Sequence, residues 1–153
     1  MPRAGAPATH REEDTNVIIH EIPGYIQVSY DEAKDYVLFD WTDFTVTLDQ
    51  IKAIHEKALA AAQQKHCSYY VAETSKVKTV LRPEVVAWFG EWFPKMVAGN
   101  IRTIVTVVPS SALANLSTRS WQSEVVGTIT MRNTASLKEA EAFVQEMKAA
   151  KTK

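Results

Sequence analysis

Between Ile101 and Val108 the chain reads Ile-Arg-Thr-Ile-Val-Thr-Val-Val and stops at Pro109. A strand with one wet face alternates apolar and polar side chains. Here Ile104 and Val105, then Val107 and Val108, are apolar neighbours, so both faces need cover. A sheet lying between layers of helix provides that cover. The segment is therefore expected to be a central parallel strand of an α/β domain. Hydrophobic residues make up 46% of the 153-residue chain, enough to build such a core once, in a single domain.

The flanking segments fit that frame. Val17 to Ile22, Tyr25 to Tyr30 and Tyr36 to Trp41 are short runs rich in β-branched and aromatic residues, separated by Pro23-Gly24 and by the polar Asp31 to Asp35. They predict an antiparallel meander. After Trp41 the period changes. Leu48, Ile51, Ile54, Ala58, Leu59 and Ala62 recur at three- and four-residue steps, behind a capping box Thr47-Leu-Asp-Gln50, and predict a helix over 48–65. His55 lies beside this stripe and is expected at its rim. Ser68 to Ala72 reads as a strand, and Pro83 as the first residue of a second helix. Ser110 or Ser111 is placed to cap a third helix with Leu113, Leu116 and Trp121 inward. Val125 to Met131 predicts a last strand, and Ser136-Leu-Lys-Glu139 a second capping box ahead of a terminal helix. The expected order is β-β-β-α-β-α-β-α-β-α, with the strands near 68–73, 101–108 and 125–131 parallel. Residues 1 to about 15 have little to bury and are expected to be a flexible tail before a domain spanning 16–150.

Charge and cysteine content exclude several functions. Seventeen basic and eighteen acidic side chains give a net charge of -1, so no positive field holds a nucleic acid or an anionic membrane. A single cysteine, Cys67, cannot form an intrachain disulfide or a multi-thiolate zinc site. No apolar run reaches the roughly 18 residues that a membrane span needs, and the N-terminus lacks a signal-peptide core. A cytoplasmic protein is expected.

Catalytic and cofactor patterns are equally sparse. Asp40, Asp43, Asp49 and Glu56 have no spacing that forces two carboxylates together. His66 and Cys67 are adjacent, a poor chelating arrangement. Ser110-Ser111 lacks the glycines of a nucleophile elbow, and no glycine-rich phosphate loop occurs. No cofactor and no enzymatic activity are expected. The densest cluster of large side chains is the second helix, where Val85, Val86, Trp88, Phe89, Trp92, Phe93, Met96 and Val97 cover one arc. Trp88 stands at the rim of that arc. Three readings stay open: plain core, a partner or homodimer surface, and a small-ligand pocket. Gly90 and Pro94 in the same helix read as a kink.

Val37-Leu-Phe-Asp-Trp41, Tyr69-Tyr-Val-Ala-Glu73, Arg82-Pro-Glu84, Glu91-Trp-Phe-Pro94 and Ile104-Val-Thr-Val-Val-Pro109 together resemble STAS-like domains. The resemblance runs from Tyr30 to Met147. It is similar to bacterial anti-sigma factor antagonists and nearer to the small stand-alone STAS/SEC14 domain-containing proteins. It implies a non-catalytic regulatory module that contacts a protein partner, or alternatively a domain that binds a small apolar ligand. The candidate interaction surface is Trp88 with Arg82, Glu84 and Glu91. Phospho-switched antagonists carry an acceptor serine at the start of the second helix, where this chain has Arg82, which cannot accept a phosphate. A switch of that type is not expected, and Thr79, Thr74 and Ser75 are the nearest hydroxyl groups.

Overall fold

In the computed structural model, which describes residues 16–125 and 129–151, the chain alternates strand and helix in the order expected. The strands are β1 (Asn16–Ile22), β2 (Ile26–Asp31), β3 (Tyr36–Trp41), β4 (Tyr69–Glu73), β5 (Thr103–Val107) and β6 (Thr130–Thr134). The helices are α1 (Leu48–Gln64), α2 (Pro83–Ala98), α3 (Ala112–Gln122) and α4 (Leu137–Lys151). The six strands form one sheet in sequence order. β1 to β3 are antiparallel, and β3 to β6 are parallel. The tail expected at residues 1 to about 15 lies outside the described residues.

Register sorts the sheet's side chains. Val37 pairs with Tyr70 and Tyr70 with Ile104; Phe39 pairs with Ala72 and Ala72 with Thr106. These residues share one face, against which α1, α2 and Trp121 of α3 pack. Tyr36, Tyr69, Val71, Thr103, Val105 and Val107 lie on the other face, which α4 covers. There the Tyr36 hydroxyl donates to Glu141, and the Arg132 guanidinium lies 4.3 Å from the centre of the Phe143 ring. Every residue of β5 is buried, as a strand enclosed on both sides requires.

Helix ends explain the element boundaries. Thr47 accepts a hydrogen bond from the Gln50 amide at 3.2 Å, and the Gln50 side chain accepts one from the Thr47 amide at 3.0 Å. This closes the first capping box. Ser136 accepts from the Glu139 amide at 3.2 Å, while Glu139 reaches back one residue further, to the Ala135 amide at 3.1 Å. Ser111 caps α3 through the Ala114 amide. The ends of α1 and α2 are followed by His66 and Asn100 at φ 56° and 77°, the left-handed position where glycine is usual. α2 runs unbroken through Pro94.

Two expectations are corrected. The last strand is Thr130–Thr134, not 125–131. Val125 closes a turn onto Gln122, Ile129 is buried just ahead of the strand, and residues 126–128 lie outside the described residues. A strand at the sheet edge needs little apolar content, so the apolar run pointed to the wrong residues. α3 is also turned: Trp121 faces inward as expected, but the two leucines do not. Leu113 and Leu116 are 55% and 53% exposed, whereas Ala114, Ser117, Thr118 and Trp121 are buried. The Ser117 hydroxyl accepts from the buried Leu81 amide at 2.8 Å, which fixes the small polar residues inward. Replacing Thr47 or Ser136 by alanine should each lower the unfolding free energy by about 1 kcal/mol in urea titrations, the usual loss for an N-cap side chain.

Candidate functional site

α1 directs Ile51, Ile54, His55, Ala58 and Ala62 toward the sheet, a continuous stripe at helical spacing. His55 is therefore not a rim residue but part of the core, four residues after Ile51 and three before Ala58. Its ring stacks on Phe39 of β3 at 5.0 Å and meets α2 edge-on: Phe89 at 5.2 Å, Trp88 at 5.7 Å and Trp92 at 6.1 Å. Neither ring nitrogen has a hydrogen-bond partner among the described residues. Burial pushes the imidazole from its ordinary 6.5 down to about 3, so it stays neutral at physiological pH.

Beside His55 lies a cavity of about 50 Å³, counted as room for the centre of a water-sized sphere. The sheet contributes Phe39, Trp41, Tyr70, Ala72 and Ile104; α2 contributes Phe89, Phe93 and Met96; α3 contributes Trp121. Phe44, Thr74 and Leu81 come from the loops after β3 and β4. The wall is almost wholly carbon. Besides His55, Tyr70 carries an orphaned polar atom here, its hydroxyl, and burial raises that phenol's pKa well above the ordinary value. The Trp92 indole nitrogen, in the same cluster of rings, also has no partner among the described residues. Buried polar groups left unpaired cost about 1–3 kcal/mol each, and edge-on ring contacts recover only part of that. Judged by stability alone, His55 is a poor occupant of its position.

The loops at this end of the sheet are held by polar ties. Asp43 accepts from the Thr45 amide and hydroxyl at 2.9 and 2.7 Å and from the Thr79 hydroxyl at 3.0 Å. Burial alone would raise the Asp43 carboxyl, but these hydrogen bonds outweigh it and hold the group below its ordinary range. Thr79 in turn accepts from the Phe44 amide at 2.8 Å. Thr74 is buried and donates to the Val107 carbonyl at 2.5 Å. Ser75 is half-buried, with its amide on Glu73. Thr74 and Thr79 are thus structural ties within the fold.

The remaining candidates are dispersed. Arg82 is the exposed N-cap of α2, and its guanidinium turns back to the carbonyls of Thr45 and Val46 at 3.1–3.3 Å. That contact accounts for a cation at the positive end of a helix. Glu84 and Glu91 are exposed and share the helical stripe of Trp88, at steps of four and three residues. Trp88 itself is half-buried and stacked on Trp92 at 5.1 Å. Asp40 pairs with Lys76 at 2.9 Å, while Asp49 and Glu56 are exposed on α1. Among the described residues no three His, Cys, Asp or Glu side chains are grouped to hold a metal ion.

A second hollow, of about 220 Å³, lies where the ends of α1 and α2 meet, between Gln63, His66, Cys67, Ser68, Gly99 and Asn100. It is more polar, and none of the orphaned polar atoms of the described residues belongs to its lining. The Cys67 thiol beside it bonds to the Tyr69 carbonyl, and burial pushes it up to about 12, leaving it unreactive at neutral pH. Comparison with family models, curated proteins and solved structures finds no match to this chain.

The His55 environment makes stability depend on pH with a definite sign. In the unfolded chain the imidazole takes up a proton below about pH 6.5; in the folded chain it does not until about pH 3. The unfolded state binds more protons between these values, so stability falls as pH drops through that window and is unaffected by this group above it. From pH 7 to pH 5 the loss from this residue should be about 2 kcal/mol. Urea titrations should show a His55→Phe variant with a flatter profile by that amount and a higher stability at pH 7.

Proposed function

We propose that this chain is a non-catalytic regulatory module of STAS-like type that takes up a small apolar ligand in the cavity between the sheet and α1 to α3. One observation carries the reading: a carbon-walled cavity sits against a neutral, partnerless histidine that weakens the fold it belongs to. Pockets that fix small molecules have this makeup, with mostly apolar walls and a few polar groups. The STAS-like part rests on the sequence resemblance together with the order of elements, an antiparallel opening followed by a parallel sheet.

The size of the cavity sets the scale of the guest. One water needs about 10–15 Å³ counted in this way, so 50 Å³ suits a molecule of about three to five non-hydrogen atoms. A lipid chain does not fit. The alternative of a partner surface centred on Trp88 has less support, because that ring is stacked on Trp92 and packed against His55 and Phe89.

Filling the cavity tests the reading. Ala72 lies on the same sheet face as Tyr70, and a valine there would place two further carbons in the free space. The native protein should bind cyclopentane saturably, seen as a rise in melting temperature and a change in fluorescence of Trp41 and Trp121. Ala72→Val should remove that response while melting no lower than the native chain. A native protein that does not respond, or a filled variant that responds equally, rejects the proposal.

A further inference from the structure

The cavity constrains the chemistry of its guest more closely than size alone. Among the described residues its wall holds no Asp, Glu, Lys or Arg. An ion entering it would lose its hydration with no opposite charge to meet, a cost of several kcal/mol in real proteins. The guest must be uncharged. Its surface must be mainly carbon, to match the rings that surround it.

The polar groups in the wall narrow the choice further. His55 and Tyr70 both line the cavity, and both pack on the ring of Phe39, at 5.0 and 4.9 Å between centroids. A neutral imidazole offers one donor and one acceptor, and a phenol hydroxyl can act as either. The Thr74 hydroxyl, also in the wall, has already given its proton to the Val107 carbonyl. A purely hydrocarbon guest would leave the histidine and tyrosine atoms unpaired. One hydroxyl group, which both donates and accepts, would serve them with little added volume.

Building on the reading that this cavity takes a ligand, we infer that the guest is a compact, neutral, mostly hydrocarbon molecule bearing one hydroxyl group, held by His55 and Tyr70. In a cavity walled by carbon alone, an alcohol is disfavoured against a hydrocarbon of equal size, because the hydroxyl gives up its hydrogen bonds to water. With partners in the wall, that handicap disappears.

Three probes of equal heavy-atom count separate the possibilities: cyclobutanol, cyclopentane and cyclobutylammonium, titrated against the full chain by calorimetry and by NMR of the His55 ring protons. Cyclobutanol should bind at least as tightly as cyclopentane, and cyclobutylammonium should not bind. In His55→Phe, and independently in Tyr70→Phe, the affinity for cyclobutanol should fall by about tenfold or more while that for cyclopentane holds or rises. Exclusion of cyclobutanol by a native protein that binds cyclopentane would overturn the hydroxyl inference and leave the apolar-ligand reading intact. So would an affinity for cyclobutanol unchanged in both variants. Absence of saturable binding by any probe would overturn both readings.

Discussion

The packing of one imidazole between three elements is the contact on which the upper layer of this protein depends. His55 brings α1 onto the Phe39 ring of β3 on one side and onto Phe89, Trp88 and Trp92 of α2 on the other. Phe89 and Phe93 then reach Trp121 of α3 at 6.2 and 6.1 Å. A chain of rings thus connects the sheet to three helices. Large flat side chains meeting at angles leave gaps that aliphatic side chains would close, and the cavity lies among them.

The polar atoms in this cluster give it two opposed consequences. The rings bury much apolar area and hold the helices in place. The unpaired nitrogen and hydroxyl groups subtract from that gain. Sites built for binding commonly lie at such places, where stability has been given up for a group that faces a ligand. The polar ties among Asp43, Thr45 and Thr79 lie outside the ring cluster and hold the loops that contribute Phe44 and Leu81 to the wall.

The architecture was legible where a periodic pattern met burial. The three- and four-step stripe of α1, the adjacent apolar pairs of β5, the capping box of Thr47 and Gln50 and the N-cap hydroxyl of Ser136 are local signals with local causes. β6 was misplaced because an edge strand does not need the apolar alternation by which strands are recognised. The facing of α3 was misjudged because its inward side is fixed by a hydroxyl serving the Leu81 amide, a tie 36 residues away in sequence. The cavity was less legible still. His55 already stood in the stripe from Ile51 to Ala62, but its polarity argued for the rim. Space left between Phe39, Tyr70, Phe89 and Trp121 follows from how three layers meet, and no single segment encodes it.

The last helix has a temporal consequence. Strands that pair in the order of synthesis allow the sheet to grow from its N-terminal hairpin outward, one neighbour at a time. α4 breaks this locality. Its Glu141 accepts from Lys34 and Tyr36, its Lys148 pairs with Asp35 at 3.2 Å and donates to the Lys34 carbonyl, and its Gln145 donates to the same carbonyl, partners 105 to 114 residues earlier. Until those residues have left the ribosome, the face of the sheet bearing Val71 and Val105 has no cover. During translation the sheet face formed once β4 and β5 have paired therefore stays open until the final helix closes over the turn between β2 and β3.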